Sequence, residues 1–528
     1  MDNKYLMGPK FQHLQNIFLF SCLLGILSVV YFPAITGYYV HYDAYRFLLK
    51  EEGLRLHVLF NEHVSAGRFF GGIWLTFFGW FVNSVSDLKV LRFINLVNLS
   101  LWGVAVIQWL RPLFPNLIST LLFVVTVLTL PSFQVLAVWS QAVYITIAFP
   151  LAAFSAVLVR KTFFLKLNSQ FFLNKTTWSA MGLLFLSLGT YQPSAMIYWG
   201  MAAAWILIHQ NIKSIFLPTS EGKNSSLNFF LIGFLTLMIY LLVLQIFKPH
   251  YIRYVMFINN PYGINIDFLG KLKWFIEEPV LNVLNLWNIF PRKILPMIIS
   301  GFIFLTIILI VYRTLRRSPN PIEKIGALRR MIKYFFIFIG LMILSYLPNL
   351  IAVGNAPWYR CTASLSFFTM LILVWALMQW LSILPKPYAQ GLLTGILLIL
   401  CLYGVVKTHK NSLNYRFKFS VLEFLYLKQN CQQIDLKKHK RIHMILARAP
   451  GICPQRYHEY CNYTTQDEWN VGAVIEATFK ELKRQKEFKE FHPQITWGKD
   501  ANDVDESTYV IDMTNLIKLE RSFRLFNE

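Results

Sequence analysis

Asp43 stands in the stretch GYYVHYDAYRF, from Gly37 to Phe47, just after an apolar run from Ile17 to Ile35. A carboxylate held at a hydrocarbon boundary loses part of its hydration. Its pKa then rises, which suits it to general-base work. The plainer reading is an exposed juxtamembrane acid paired with Arg46 or His41. Arg360, in GNAPWYRC, and Arg68, in EHVSAGRFF, each enter an apolar segment from a polar one. A guanidinium there can hold a lipid phosphate through bidentate, charge-assisted bonds, or it can snorkel to headgroups as an anchor. Tyr191 and Gln192, in YQPS, could hydrogen-bond a sugar or simply mark a polar break between helices. Glu277 and Glu278, in KWFIEEPVLN, fit a solvated helix-end pair or a contact to an acceptor. His41 and, if its loop folds back, Glu62 are the nearest helpers for Asp43.

The acids are few enough to sort. Residues 1–406 hold 11 Asp+Glu against 30 Lys+Arg, and 407–528 hold 16 against 20. Apart from Asp2, Glu221 and Glu323, the acids of the first part fall in two stretches, Gly37 to Leu91 and Lys248 to Lys293. The apolar runs themselves contain only neutral polar groups such as Gln108, Gln245 and Gln379. An ion-coupled carrier keeps ionisable groups near the midplane. Here they collect at one face, which favours chemistry at a membrane surface over passage through it.

The elements that position these residues follow from composition. The chain has 528 residues, 55% hydrophobic and 15% charged, with 16% aromatics and a mean hydropathy of +0.46. That is the make-up of a polytopic membrane protein. The net charge of +23 lies mostly between apolar runs, where the positive-inside rule places it. We therefore read it as topology and exclude nucleic acid as a partner. The six cysteines show no zinc spacing; Cys453 and Cys461 could pair if the tail is extracytoplasmic.

Spanning runs stand at Ile17–Ile35, Phe93–Leu110, Ala142–Val159, Phe229–Phe247, Ile294–Tyr312, Tyr334–Val353, Thr362–Leu384 and Gly391–Val406, with a shorter one at Leu117–Leu130. The basic stretches Arg160–Lys175 and Arg313–Lys333 are expected inside. Parity then divides Trp178–Ile208 at YQPS, leaves Phe69–Val82 along the outer interface, and puts the stretches Pro131–Gln141 and Gly354–Cys361 on the outer side. The expectation is an all-α polytopic domain over 1–406, with about eleven spans. Residues 407–528 are expected to form a small extracytoplasmic α/β domain. In that tail RIHMILA and TYVIDM read as strands, and Ile475, Phe479 and Leu482 as one face of a helix.

The order of these features resembles a family. An outer-loop acid after the first span, Gly67–Arg68 heading an interfacial segment, the YQPS break and a late outer-loop arginine are similar to the bacterial type-II glucosyl transferases. These are the O-antigen-modifying, serotype-converting membrane enzymes of GT-C architecture. The resemblance implies a sugar, glucose in the family's name, moved from a polyprenyl-phosphate donor to a lipid-linked glycan or O-antigen acceptor. It also implies a multi-pass protein of the bacterial inner membrane, with its site facing the periplasm and no cofactor or metal. The family's outer-loop acid maps onto Asp43 and its GR onto Gly67–Arg68. Many relatives have paired acids at the first position, whereas Tyr42 and Ala44 flank Asp43.

On this reading Asp43 is the catalytic base. Arg360 and Arg68 bind the donor phosphate, and His41, Glu62, Tyr191, Gln192, Glu277 and Glu278 lie towards sugar or acceptor. Two rivals stand beside it: a lipid or polysaccharide transporter, which would tolerate neutralisation of Asp43, and a non-enzymatic membrane scaffold, which would tolerate changes at both Asp43 and Arg360.

Overall fold

The computed structural model describes residues 9–37, 54–162, 171, 173–209, 220–255, 267–288, 293–317, 320–355, 357–413, 418–446, 471–498, 500 and 504–516. Among them the fold is mostly helical. Seven helices are long and apolar enough to cross a membrane, or eight if the bent pair Leu117–Leu128 and Pro131–Val138 is one span. The others expected to cross are shorter or less apolar. The Trp178–Ile208 run is broken as expected, into Lys175–Thr190, a turn at Gln192–Ala195, and Ile197–His209. Tyr191 is extended at the break (φ −159°, ψ 108°), and Pro193 stands in the first turn of the short helix that follows. Phe69–Phe81 is a 13-residue apolar helix, too short to cross.

The bundle embeds hydrogen-bonding side chains in its apolar core and presents apolar side chains outwards. Met238, Leu242, Met297, Phe304, Ile399 and Leu402 point outwards. Asn95, Ser100, Thr126, Gln134, Thr146 and Ser187 are buried. Hydrocarbon solvates the outer face and hydrogen bonds satisfy the inner one, the arrangement a bilayer imposes.

Hydrogen bonds between distant helices give the direction of each pass. At one end Gln108 bonds Asn16, Asn228 donates to the Thr162 carbonyl, and Arg313 donates to the Gln379 carbonyl. At the other end Tyr31 donates to the Leu128 carbonyl, Asn95 to the Trp139 carbonyl, and Tyr240 to the Gly67 carbonyl. Successive long helices therefore alternate. The second end gathers the C-terminus of the first helix, the Arg68 turn, the YQPS break and the turn at Arg360.

Two expectations gain detail. Pro131–Gln141, expected only as a stretch on the outer side, is structured: Pro131–Val138 is a helix buried along its whole length, followed by a buried 3₁₀ turn at Ser140–Ala142. Pro131 occupies the first helical turn, where its missing N–H costs nothing. The chain bends by 71° before it. The Thr129 carbonyl freed at the bend accepts from Gln134 (2.7 Å), Trp287 (3.0 Å) and Thr408 (3.0 Å). Likewise, the span expected from Phe93 belongs to a helix that begins at Leu88. It draws Arg92, 0% exposed, into the core, where its guanidinium donates to the carbonyls of Ala34 and Gly37. A cation on the carbonyl end of the Phe32–Thr36 helix is favoured by the helix dipole.

The tail forms a parallel sheet in the order β2-β1-β3, with β1 at Arg441–Ile445, β2 at Gln494–Gly498 and β3 at Thr508–Asp512. Ile442 and Met444 of β1 and Ile511 of β3 are buried, as are Ile475 and Phe479 of the helix Val471–Glu481. Arg484 bonds both oxygens of Glu487, each at 2.7 Å, and donates to the carbonyls of Cys431 and Ile434. It closes the C-terminal end of the helix Lys418–Gln433. The Glu481 carboxylate accepts from the Val85 N–H, which ties the tail to the 3₁₀ turn Val85–Asp87.

Candidate functional site

The GR pair is built by a helix stop. In the last turn of Leu54–Ser65, the Arg68 N–H donates to the His63 carbonyl (2.7 Å) and the Gly67 N–H to the Val64 carbonyl (2.9 Å). Gly67 lies at φ +77°. These are the two bonds and the left-handed residue of a Schellman motif. Gly67 also admits close neighbours. A Cβ there would stand 2.7 Å from Leu244, 2.9 Å from the Tyr240 oxygen and 3.2 Å from Gln192 Nε2. The glycine stops one helix and aims Arg68 as the next begins.

Arg68 points at the YQPS break. Its Nε donates to Gln192 Oε1 at 3.2 Å, and its guanidinium lies over the Tyr191 ring, 4.7 Å from the centroid. Gln192 Nε2 donates to the Ala66 carbonyl (3.0 Å) and the Tyr240 oxygen (2.6 Å); Tyr240 in turn donates to the Gly67 carbonyl (2.9 Å). The arginine turn, the break and a distant helix thus close a ring of hydrogen bonds.

Arg360 arrives from the opposite side, on the 3₁₀ turn Tyr359–Cys361. Its guanidinium is 4.1 Å from the Trp358 ring centroid and 5.1 Å from that of Trp139. Next to it, Cys361 Sγ is 3.5 Å from the Tyr191 hydroxyl. The turn is braced by Tyr359 with Asn288 (2.9 Å), and by Ser132 with Thr362 (2.9 Å) and Ser366 (2.7 Å). The buried helix at Pro131–Val138 therefore forms the floor beneath Arg360.

Comparison with protein-family models and with curated proteins gives no match.

Four residues expected at a site, Arg68, Tyr191, Gln192 and Arg360, come together at one end of the bundle. Asp43 and His41 lie outside the described residues, as do Cys453 and Cys461. Glu62 is exposed in the last turn before Gly67. Glu277 is exposed on a π-turn, 4.0 Å from Lys273, with Glu278 beside it. Such an exposed i,i+4 pair contributes little, and Glu277 stands within the helical stretch that runs on to Leu284 rather than at a helix end. Among the described residues no group of three His, Cys, Asp or Glu side chains is placed to hold a metal.

Sequence reasoning passed over four residues. Tyr240 lies within an apolar run, where nothing distinguishes it from an interfacial aromatic. His63 packs edge-on against Tyr144 (4.9 Å), which packs edge-on against Tyr191 (5.9 Å); its place one turn before Arg68 was the available signal. Arg92 was lost with the misplaced helix start. Lys271 reads as one more surface lysine in LGKLKWF, yet it is buried.

Proposed function

We propose that the protein is a membrane glycosyltransferase that moves a sugar, glucose by the family resemblance, from a polyprenyl-phosphate donor to a glycan acceptor at the extracytoplasmic face. The observation that supports this reading most is that Arg68 stacks on the Tyr191 ring while Cys361, next to Arg360 in the chain, meets the Tyr191 hydroxyl. It occurs at the end of the bundle where Gly37 leads into the segment bearing Asp43. Two guanidinium groups stacked on rings offer a strong site for a phosphate, and the apolar exterior suits an isoprenoid tail.

Asp43 takes the proton of an acceptor hydroxyl as that oxygen attacks the anomeric carbon. The bond from that carbon to the phosphate oxygen breaks, and the phosphate leaves with the electron pair. Arg68 and Arg360 stabilise the charge that develops there. Single displacement inverts the anomeric centre. Gln192 and Tyr191 hold Arg68 in place for this step.

The test is sugar transfer from a polyprenyl-phosphate sugar in membranes with matched protein levels. Asp43→Asn should lower transfer by about 10²–10⁴-fold, the usual contribution of a positioned base. Arg360→Ala should weaken donor use by about 1.5–3 kcal/mol, the worth of a charged hydrogen bond, or roughly one to two decades. Near-normal transfer by Asp43→Asn would return that residue to a structural role. A transporter would instead keep its flux with Asp43 neutralised.

A further inference from the structure

Lys271 lies on the short helix Phe268–Phe275, which is capped by Asp267 accepting from the Gly270 N–H (2.8 Å). It is 2% exposed. Its ammonium donates to the Gly354 carbonyl (2.9 Å) and to Asn355 Oδ1 (2.7 Å), and stands 4.6 Å from the Trp274 ring centroid. Among the described residues it makes no ion pair with a carboxylate. Burial pushes the ammonium below the ordinary lysine value. A buried cation without a counter-ion is costly, and a plain loop anchor could be had from a neutral amide. What Lys271 grips is the start of GNAPWYRC, the segment that carries Arg360.

The far side of that segment is already fixed. Tyr359 bonds Asn288, the Cys361 N–H donates to the Trp358 carbonyl (2.9 Å), and Thr362 bonds Ser132. The near side is held by Lys271. Its own helix is packed in place, since Phe275 stacks on Tyr346 (5.5 Å) within a cluster that also contains Leu350 and Cys361. The clamp is thus rigid on the helix side, and its reach sets where the Arg360 turn lies against Trp139 and Tyr191.

We infer that Lys271 is the positioning residue of the Arg360 turn: by holding Gly354 and Asn355 it sets the guanidinium for the leaving phosphate without itself touching the substrate. This rests on the proposed role of Arg360 in donor binding. It makes Lys271 and Arg360 one functional unit, so their losses should not add.

The experiment is a double-mutant cycle on full-length protein in membranes, with a polyprenyl-phosphate sugar as donor. Lys271→Met, which keeps the stem and removes the charge, should raise the donor KM about tenfold with little change in kcat, the size of one lost charged contact. In the Arg360→Ala background the same change should add less than about twofold. Full additivity, or a fall in kcat alone, would overturn the inference.

A second measurement does not depend on activity. In a variant whose other cysteines are replaced, the buried Cys361 thiol should react faster with a maleimide once Lys271→Met frees the turn. An unchanged labelling rate would overturn the clamp. If Arg360→Ala leaves donor use untouched, the role given to Arg360 fails, and thiol labelling alone decides whether Lys271 holds the turn.

Discussion

Gly67→Ala is the sharpest perturbation of the arginine turn. At φ +77° an L side chain carries a backbone penalty of about 1–2 kcal/mol. The added methyl would also press on three neighbours. The Leu244 methyl at 2.7 Å is the end of a flexible side chain and can yield. The Tyr240 oxygen at 2.9 Å cannot do so cheaply, since it is bonded to the Gly67 carbonyl and to Gln192. Overpacking of this kind costs about 1–3 kcal/mol, so the total is roughly 2–5 kcal/mol. The same push displaces Gln192 from Arg68, and donor use should fall with stability. Gly182, on the helix Lys175–Thr190, has nothing within 4 Å of a built Cβ. Gly182→Ala is the control, expected to be neutral or up to ~1 kcal/mol stabilising. The assay is the thermal unfolding midpoint of detergent-solubilised protein, followed by size-exclusion fluorescence, together with donor kinetics in membranes. A Gly67→Ala protein with the wild-type midpoint and wild-type donor KM would refute the Schellman reading of the GR pair.

Gln192→Leu removes the partner of Arg68, Tyr240 and the Ala66 carbonyl at once. Leaving such groups unsatisfied costs about 1–3 kcal/mol, and both the unfolding midpoint and donor affinity should drop. In the tail, the hydrogen bond from Arg484 holds the Glu487 carboxyl below its usual value. A depressed folded pKa adds stability above the unfolded value of about 4.3, and this is lost as pH falls through the folded one. Unfolding of the tail, followed by limited proteolysis of the full-length protein across acid pH, should show that loss. Glu487→Gln should flatten it, and an identical acid profile would remove the pair from the account.

What the sequence disclosed depended on how local the physics was. YQPS was legible because a proline acts on its neighbours, whatever surrounds it. Gly67–Arg68 was visible as a pair, but its reason lies in a helix stop that becomes evident only when the His63 and Val64 carbonyls are seen to accept. The strands RIHMI and TYVID were legible from their apolar, β-branched residues, whereas QITWG was missed, and its burial is only partial. The elements around Arg92 and Pro131 were not legible, for different reasons. Hydropathy windows cut a helix short at a charge, although a buried arginine can be satisfied by the carbonyls of another helix end. Pro131–Gln141 was placed on the outer side with no element assigned to it, and Pro131 opens a helix there. Lys271 and Tyr240 carry no local signal at all, since their partners lie 83 and 173 residues away in the chain.

The two arginines are held differently, and the difference bears on their roles. A guanidinium stacked on a ring commits the face of its plane, while hydrogen bonds to a phosphate run within the plane. Ring stacking is therefore compatible with anion binding in a way that a bidentate carboxylate pair is not. Arg68 spends its Nε on Gln192 and its face on Tyr191, which fixes the direction of its guanidinium. Arg360 rests against Trp139, which is buried, and Trp358, which is 47% exposed. One of its walls thus stands at the surface, where a lipid-linked donor would arrive. On this geometry Arg68 is the rigid member that fixes direction, and Arg360 the member whose setting depends on its turn. A lysine in place of Arg360 should keep part of the attraction, since the charge remains over the rings. At position 68 it should lose more, because no single ammonium reproduces both the Gln192 bond and the planar stack on Tyr191.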